Sequence, residues 1–498
     1  MSKLLAATLA GCAALVGQHP DQVVVSSASA VQPGDNWLPT TQRAYSPRPV
    51  SAPLCRVEGT IEGNIGFELW LPQEWNRRYL GAGVGGDAGV FNYADMSLRV
   101  NEGFAVASTD SGHKAGDARW MADPKARTDY EHRAVHLTTV AARRLTETFY
   151  GEPVERAYFT GCSGGGRQAL KSLQNYPADF DGILAGAPGP YMPLQSVRMM
   201  WFALLQKWSP DAALTDADWT LYESRVTQAC DANDGRVDGI VENPAACTFD
   251  LSTLECPEGL TGGDCIPGPR LAMLRAITSP LLDESGAAMD GGLFPGVRTR
   301  PGPPSPLLRA MWADGVFDNP DWDEDTFQRS RDLALANRAM PELRADRTSI
   351  NAFVRLGGKA IIYQGWADPS TNAGPTIDWY AGLARTNGGA DTLAQTARLF
   401  MVPGMYHCAG GPGADQFGGS GHAAFPGDAS RDALWALIRW VEHGEAPQTL
   451  TATRIENGMP AFTRKLCPFP ATLHFDGSDD TVGTCRVDPV LSALMPAD

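Results

Sequence analysis

The feature that most constrains this chain is the pentapeptide GCSGG at residues 161–165. The apolar run 157–160 before it predicts a buried strand, and residues 166–176 after it predict a helix. A G-x-S-x-G pattern between a strand and a helix is typical of a sharp turn that exposes a serine, and the glycines let neighbouring backbone pass closely. The sequence therefore predicts that Ser163 is a nucleophile. The alternative is a glycine-rich turn with an incidental serine.

Strands and helices alternate on both sides of this turn. Residues 54–71 alternate apolar and polar side chains between glycines, which predicts antiparallel strands. Further strands and helices are predicted as follows: strands at 78–84, 104–109, 183–186, 358–363 and 397–402, and helices at 130–149 and 430–443. This alternation indicates an α/β fold with a mostly parallel sheet.

The strand rhythm stops between residues 190 and 345, where Trp, Pro, Asp and Gly are frequent. Because it resumes at 358–363, the economical interpretation is one catalytic domain, 1–189 and 346–498, interrupted by a lid domain at 190–345. A chain of 498 residues is long enough for both.

A nucleophilic serine needs a base, and the base needs an orienting carboxylate. In α/β folds with such a turn, the carboxylate and then the histidine follow the serine along the chain. His407 stands in a loop just after a predicted strand, whereas His422 and His443 are expected at the surface. Asp368 also follows a predicted strand, and the proline after it favours a turn. We therefore predict Asp368 as the acid and His407 as the base; an ordinary turn aspartate is the alternative at 368.

A cysteine stands beside each of the two residues that would exchange a proton. Cys162 directly precedes Ser163, and Cys408 directly follows His407. A bond between these cysteines would hold the serine and the imidazole within hydrogen-bonding reach; two independent buried cysteines are the alternative. Ten cysteines without a C-x-x-C pair favour five disulfides over a zinc site, although spacing leaves the pairing open. Disulfides in turn indicate an oxidising compartment, so the protein is expected to be secreted or periplasmic.

An oxyanion needs two backbone N–H donors. Gly164, directly after the serine, supplies one, and Gly85 and Gly86 in the glycine-rich loop 81–89 are predicted to supply the other. The same loop could suggest a dinucleotide-binding fingerprint. Its glycine spacing and the lack of a clear following helix argue against that, and no organic cofactor is expected.

The predicted lid contains the acidic loop 230–240, CDANDGRVDGI. Its carboxylates, Asp231, Asp234 and Asp238, together with backbone carbonyls suit a hard cation, and the number of protein oxygens favours calcium. Gly235 stands where an EF-hand would need a ligand, so the loop is not an EF-hand. A solvated turn is the alternative.

Charge and hydropathy exclude several classes of partner. The net charge of −16 argues against binding to nucleic acid or to an anionic membrane surface. No apolar stretch reaches the length of a membrane span. Residues 1–17 contain a short apolar run, and Leu9–Cys12 resembles a lipoprotein cleavage site; a mature amphipathic segment with a disulfide-bonded Cys12 is the competing interpretation.

With these residues in view, the chain resembles the tannase and feruloyl esterase family. Five blocks carry the resemblance in order: GCSGGGRQAL at 161–170, NYPADFDGILAGAP at 175–188, GGKAIIYQGWADP at 357–369, RLFMVPGMYHCAGGPG at 398–413 and LCPFP at 466–470. The resemblance implies an α/β-hydrolase fold with a large lid-domain insertion. It also implies a serine esterase that forms an acyl-enzyme on Ser163 and links Cys162 to Cys408.

Further site residues are implied by the same resemblance. Calcium would be held by the side chains of Asp231, Asp234 and Asp238 and by the carbonyls of Arg236 and Ile240. The implied disulfides are Cys12–Cys55, Cys230–Cys247, Cys256–Cys265 and Cys467–Cys485, and the first of these argues against a lipidated Cys12. Gly164 and Ala169 stand where relatives often carry Thr and Gly, a departure that bears on the floor of the acyl pocket.

The resemblance leaves the ester open. A small aromatic ester is the expected substrate, with a cinnamoyl, feruloyl, galloyl or related phenolic acid as first choice. The alternative ester is mono(2-hydroxyethyl) terephthalate. An alternative of another class is an inactive hydrolase-like module that binds polyphenols or carbohydrate. The oligomeric state is not predicted.

Overall fold

The computed structural model describes residues 5–6, 9–35, 37–39, 45–260, 263–299, 303–476 and 482–495. Its centre is a ten-stranded sheet. The strands are β1 Gly17–His19, β2 Val23–Val31, β3 Leu54–Ile61, β4 Ile65–Pro72, β5 Arg78–Ala82, β6 Ala105–Thr109, β7 Arg156–Cys162, β8 Gly182–Gly186, β9 Lys359–Gly365 and β10 Ala397–Val402. The predicted α/β class is confirmed.

The spatial order of the sheet is β10-β9-β8-β7-β5-β6-β4-β3-β2-β1. Strands β5 to β10 are parallel, and β1 to β4 form an antiparallel extension. The parallel strands are buried along most of their length, as expected for a sheet covered on both faces. Their carboxyl ends meet at one edge, where the loops that carry chemistry are placed.

Helices cover the two faces of the sheet. The helices are α1 Tyr93–Val100, α2 Pro124–Thr128, α3 Ala134–Tyr150, α4 Gly164–Asn175, α5 Met192–Trp208, α6 Asp216–Cys230, α7 Gly268–Thr278, α8 Pro306–Ala310, α9 Arg329–Ala339, α10 Asn351–Arg355, α11 Ala373–Thr386, α12 Ala390–Leu393, α13 Ala433–His443 and α14 Pro489–Ser492. Helices α3, α4 and α11 pack on one face, and α1 and α13 pack on the other. None of the described helices is both long and apolar enough to cross a membrane.

Residues 190–345, called the insertion below, lie between β8 and β9 and contain α5 to α9. They have a hydrophobic core of their own, centred on Trp219, Trp312 and Ile266. The two ends of the insertion meet where the Ala345 N–H donates to the Pro190 carbonyl over 2.8 Å. Residues 129–133 and 311–316 are π-helical turns, a rare form that is frequent at functional sites.

Beyond the central sheet, two hairpins follow α13. Strands β11 Leu450–Glu456 and β12 Met459–Leu466 form the first, and β13 Ala471–His474 and β14 Thr484–Val487 form the second. Leu5–Ala6 pairs with Glu74–Trp75 in a short separate ladder.

All ten cysteines are paired in five disulfides. The bonds are Cys12–Cys55, Cys162–Cys408, Cys230–Cys247, Cys256–Cys265 and Cys467–Cys485. The five predicted pairings are confirmed.

Candidate active site

Ser163 lies at the turn from β7 into α4, which begins at Gly164. Its φ of 62° and ψ of −125° belong to a strained conformation that L-residues rarely adopt. The neighbouring glycines make this turn possible: a Cβ on Gly161 would lie 2.6 Å from the Gly165 carbonyl, and one on Gly166 would lie 2.1 Å from the Gly186 oxygen. The turn lifts the serine above the carboxyl edge of the sheet.

Ser163, His407 and Asp368 come together at that edge. Ser163 Oγ lies 2.8 Å from His407 Nε2, and His407 Nδ1 lies 2.8 Å from Asp368 Oδ2. The aspartate side chain is fully buried and the imidazole is 25% exposed. With Nδ1 donating to the carboxylate, Nε2 is free to accept the serine proton, which is the arrangement a serine nucleophile requires.

The Asp368 carboxylate is held by three further donors. Its Oδ1 accepts the N–H groups of Ser370 and Thr371, each over 2.8 Å. Its Oδ2 also accepts Gln364 Nε2 at 3.2 Å. These donors and His407 satisfy the oxygens of the buried carboxylate and fix its orientation toward the imidazole.

The loop that carries His407 is held by a disulfide and by a buried histidine. The Cys162–Cys408 bond joins the residue before the serine to the residue after the histidine, with 5.9 Å between their Cα atoms. His422 Nε2 donates to the Cys408 carbonyl at 2.6 Å. His422 is only 1% exposed, so the expectation of a surface histidine is wrong; burial lowers its pKa and favours the neutral ring. Its role depends on contacts that no local pattern reveals.

The loop after β5 lies against the start of α4. A Cβ built on Gly164 would be 3.1 Å from both the Gly86 nitrogen and the Gly85 Cα, and one on Gly85 would be 3.3 Å from Ser163 Cβ. The Gly85 N–H donates to the Tyr45 hydroxyl at 2.6 Å. Because the Gly85 N–H is already bonded, Gly86 and Gly164 remain the predicted oxyanion donors. Gly85 has no side chain and so leaves room for the serine.

Side chains from four places hold this loop. Gln168 Oε1 accepts the Val84 N–H at 3.0 Å, and the Tyr130 hydroxyl donates to the Gly86 carbonyl at 2.8 Å. The ring of His113 donates to the Asp87 carbonyl at 2.6 Å, and Tyr45 holds Gly85 as described above. The loop is thus bound peptide by peptide, as preorganised donors for an oxyanion need to be.

Tyr130 also connects this loop to the helix that carries the serine. Arg167 of α4 donates to the backbone carbonyls of Tyr130 and Glu131 over 3.2 and 2.8 Å, and its guanidinium lies 4.8 Å from the centre of the Tyr130 ring. No pattern in the sequence identified Tyr130, Gln168 or His113 as site residues. The signal that could have found them is weak, since each is a single polar or aromatic residue inside a predicted helix or loop.

Ser163 and His407 open into a cavity of about 180 Å³. Its other walls are mostly apolar and come from both the insertion and the rest of the chain. They include five methionines and two aromatic rings: Met121, Met192, Met199, Met311, Met340, Trp120 and Tyr130. Arg127 also lines the cavity and donates to the carbonyls of Met121 and Gly315, but it forms no ion pair within the described residues. Such a cavity suits an aromatic or otherwise apolar group beside the serine.

The acidic loop 231–240 lies away from this cavity and has a different arrangement. Asp231 accepts the backbone N–H groups of Asp238, Gly239 and Ile240. The guanidinium of Arg464, from β12, bonds Asp234 at 2.6 Å, Asp238 at 2.8 Å and Glu242 at 2.9 Å. Burial raises the pKa of Asp234 and of Glu242.

The oxygens of this loop are of the kind that calcium prefers. Arg464, whose side chain is 4% exposed, supplies one positive charge among them. Across the described ranges, no group of three or more acidic, histidine or cysteine side chains is arranged to hold a metal ion. In the structure these carboxylates bond Arg464 and backbone N–H groups, and calcium held by Asp231, Asp234, Arg236, Asp238 and Ile240 stays a prediction.

Comparison with known proteins adds independent information. The family model "Tannase and feruloyl esterase" matches residues 50–297 and 310–484. A probable feruloyl esterase B-1 from Aspergillus flavus is 32% identical over 84% of this chain and 83% of its own length. The crystal structures of an esterase and of feruloyl esterase B, both from Aspergillus oryzae, superpose with TM-scores of 0.88 and 0.87 at 29% and 27% identity. They cover 96% and 94% of this chain, and 100% and 97% of their own.

Proposed function

This chain belongs to the tannase and feruloyl esterase family and is a carboxylic ester hydrolase, and from that premise we propose that it cleaves phenolic acid esters with Ser163, His407 and Asp368 as its catalytic triad. The single observation that carries the triad is the chain of two 2.8 Å contacts from serine to imidazole to buried carboxylate. A non-catalytic binding module would have no use for a strained serine in that position.

In the proposed reaction, His407 Nε2 takes the Ser163 proton while Oγ attacks the ester carbonyl carbon. The N–H groups of Gly86 and Gly164 stabilise the negative oxygen of the tetrahedral intermediate. His407 then gives its proton to the leaving alcohol oxygen, which leaves an acyl group on Ser163. Water, activated by the same imidazole, releases the acid and restores the serine. Asp368 holds the imidazole tautomer and stabilises its positive form.

The cavity supports an aromatic acid as the acyl group. Trp120 and Tyr130 offer ring faces, and the methionine side chains adapt to flat apolar surfaces. A cinnamoyl, feruloyl, galloyl or related phenolic acid fits this description. The insertion supplies much of the roof through Met192, Met199 and Met311, so we infer that it acts as a lid that sets substrate selectivity.

One observation favours a second candidate ester. Arg127 lines the cavity without an ion pair inside the described ranges, and a guanidinium recognises a carboxylate with two parallel hydrogen bonds. A half-ester such as mono(2-hydroxyethyl) terephthalate carries a free carboxylate on its ring. This substrate is the alternative to a neutral phenolic ester.

The five disulfides support an oxidising location. We infer that the protein works outside the cytoplasm, either secreted or in a periplasm. Calcium binding in the insertion is a separate prediction and takes no part in the reaction.

The test is hydrolysis of methyl gallate, methyl ferulate and mono(2-hydroxyethyl) terephthalate, followed by chromatography. We expect turnover of at least one ester by the native chain and none above background by Ser163→Ala. The control is Ser172→Ala, which removes a buried hydroxyl further along α4 and should keep activity. Turnover that survives Ser163→Ala would refute the triad. Faster turnover of the terephthalate than of both phenolic esters would select the second candidate.

A further inference from the structure

A carboxylate lies buried near the active site without a cation bonded to it. Asp95, on α1, is 2% exposed and forms no ion pair within the described ranges. Its oxygens accept three hydrogen bonds instead: from Asn92 Nδ2 at 2.9 Å, from the Ser420 hydroxyl at 2.6 Å and from the Gly421 N–H at 2.8 Å. Ser420 is 325 residues away along the chain. Because a buried carboxylate is costly unless it is well bonded, these distant donors are the reason that Asp95 can stay there.

On one side, the hydrogen bonds of Asp95 lead to the glycine-rich loop 81–89. The Asn92 amide that bonds Asp95 also donates to the Gly83 carbonyl at 2.7 Å. Asn92 is fully buried, and its Oδ1 accepts the Asp95 N–H, which fixes the amide at the start of α1. Gly83 lies just before Gly86, the predicted oxyanion donor. The position of this loop is therefore tied to Asp95.

On the other side, the hydrogen bonds of Asp95 lead to the loop that carries His407. The donors from this side belong to the turn 419–422. In the same turn, His422 donates from Nε2 to the Cys408 carbonyl at 2.6 Å. Cys408 directly follows His407. A path of buried hydrogen bonds and one short turn therefore runs from the glycine-rich loop through Asp95 to the loop of the base.

The two loops that this path joins serve the same transition state. The glycine-rich loop is proposed to supply an N–H group to the oxyanion, while His407 moves the proton between Ser163 and the leaving oxygen. A displacement of about 1 Å at either group can lower the rate by about 10²-fold. The Cys162–Cys408 disulfide ties the base to the serine. The path through Asp95 ties the base to the oxyanion donors.

We propose that Asp95 is a positioning residue that sets the distance between the oxyanion donors of the glycine-rich loop and the His407 imidazole. It acts through Asn92 on one side and through the turn 419–422 on the other, and it does not line the cavity beside Ser163. This inference rests on the proposed function, because it needs a transition state that both loops serve. A carboxylate that only stabilised the fold would leave kcat of the folded protein unchanged.

The test measures Asp95→Asn on the ester of the panel above that the native chain hydrolyses fastest. The amide keeps the size of the side chain but leaves at least one of the three donors without an acceptor. We expect kcat to fall by about 10- to 100-fold, with KM changed less than about twofold. The inhibition constant of phenylboronic acid, which forms a tetrahedral adduct with a serine, should rise by a similar factor. That of the product acid should change less than about twofold.

Asp488→Asn is the matched control. Asp488 is 8% exposed, and it also accepts an asparagine amide, from Asn243, and two backbone N–H groups. It therefore has donors much like those of Asp95, but it begins α14 and belongs to no loop of the active site. Its substitution should lower the free energy of unfolding and leave kcat unchanged. Urea unfolding of both variants shows how much stability each has lost.

Two milder substitutions test the proposal even if Asp95→Asn does not fold. Ser420→Ala removes the hydroxyl that bonds Asp95. Asn92→Ser removes the amide but keeps a side-chain oxygen at the start of α1. Each should lower kcat, and independent roles would multiply the two effects. If Asp95 couples the loops, the double variant should instead have a kcat within about twofold of the slower single variant.

Several results would overturn the proposal. They are an unchanged kcat in folded Asp95→Asn, equal losses of kcat in Asp95→Asn and Asp488→Asn, no loss in either milder variant, or losses in the milder variants that multiply. In each of these cases the native chain still hydrolyses its ester, so the proposed function stands. If the native chain hydrolyses no ester of the panel, the proposed function itself fails and this inference fails with it.

Discussion

Two acidic regions of this chain invite comparison: the turn at Asp368 and the loop 231–240. In each, a carboxylate bonds a basic side chain from another part of the sequence. At Asp368 the partner is the His407 imidazole, a ring that can accept and release a proton. In the loop the partner is the Arg464 guanidinium, which cannot. We therefore expect similar carboxylates to support proton transfer in one region and only structural stability in the other, according to the partner of each.

Neutralising one carboxylate in each region should give the largest difference in kcat between the two regions. Asp368→Asn should lower kcat by about 10⁴-fold, because the amide no longer holds the imidazole tautomer. Asp238→Asn should leave kcat within about twofold, since it faces Arg464 rather than the serine. Steady-state kinetics on one ester would measure both, with thermal unfolding to show that each variant is folded. Equal losses of kcat would end the distinction.

The second substitution removes the cation instead of the acid. Arg464→Met should lower the free energy of unfolding by about 3–5 kcal/mol, because the carboxylates of Asp234, Asp238 and Glu242 lose their buried partner. Arg439→Met, which breaks an exposed pair with Glu445, should cost less than about 1 kcal/mol. Urea unfolding would measure the two variants. A cost for Arg464→Met as small as for the control would mean that the loop needs no internal cation.

Glu131 is a third carboxylate to compare, because no cation among the described residues bonds its side chain. Burial raises the pKa of Glu131 to about 7, and Arg167 bonds its backbone carbonyl instead. A raised carboxyl pKa means that the folded state binds more protons than the unfolded state between about pH 4.5 and pH 7. Stability should therefore fall as pH rises through this window and level off above it.

Glu131→Gln should remove that slope and stabilise the protein at pH 8 by up to about 3 kcal/mol relative to the native chain. Urea unfolding at pH 5 and pH 8 provides the measurement. If the difference between the two proteins is the same at both pH values, Glu131 does not titrate in the window.

Tyr130→Phe tests the loop that is proposed to bind the oxyanion. Tyr130 forms no hydrogen bond with the described Ser163, His407 or Asp368 side chains. The variant keeps the ring against Arg167 and removes the hydroxyl that holds the Gly86 carbonyl. We expect kcat to fall about tenfold with KM changed less than twofold, because only the transition state uses the oxyanion donors. Tyr150→Phe is the control, because its hydroxyl bonds the Pro72 carbonyl at the opposite edge of the sheet. A rise in KM with kcat intact would make Tyr130 a wall of the cavity only.

The smallest expected effect concerns calcium. Because Arg464 already faces Asp234 and Asp238, EDTA should lower the melting temperature by less than Arg464→Met does. Scanning calorimetry with EDTA, and with EDTA plus excess calcium, would measure this shift of the melting temperature. A larger drop that calcium reverses would show that an ion is the main counter-charge and would favour the predicted site.

The sequence predicts well what local patterns determine. Strand β7, the turn at Ser163 and helix α4 form one continuous segment, and Asp368 and His407 each follow a buried apolar strand. Glycine spacing, hydrophobic runs and chain order are enough to identify these residues. The predicted strand 397–402 coincides with β10, and the other predicted strands of the parallel sheet lie within two residues of those observed.

Features of the structure that depend on distant partners were not predicted from the sequence. Arg464 is separated from Asp234 by 230 residues, and its strand has no pattern that points to the acidic loop. His422 stands in a glycine-rich segment typical of the surface, but Phe417 and Tyr363 enclose it. Strand β2, which the sequence analysis did not predict, is rich in serine and alanine because its outer residues face solvent beside the edge of the sheet.

The contact between Pro190 and Ala345 gives the insertion the character of an exchangeable cassette. The first and last residues of the insertion lie next to each other. A shorter, longer or unrelated segment between them would therefore leave the spacing of β8 and β9 unchanged. Ser163, His407 and Asp368 all lie outside that segment. Under the proposed role of the insertion, recombination at this junction would change which esters are accepted and leave Ser163, His407 and Asp368 in place.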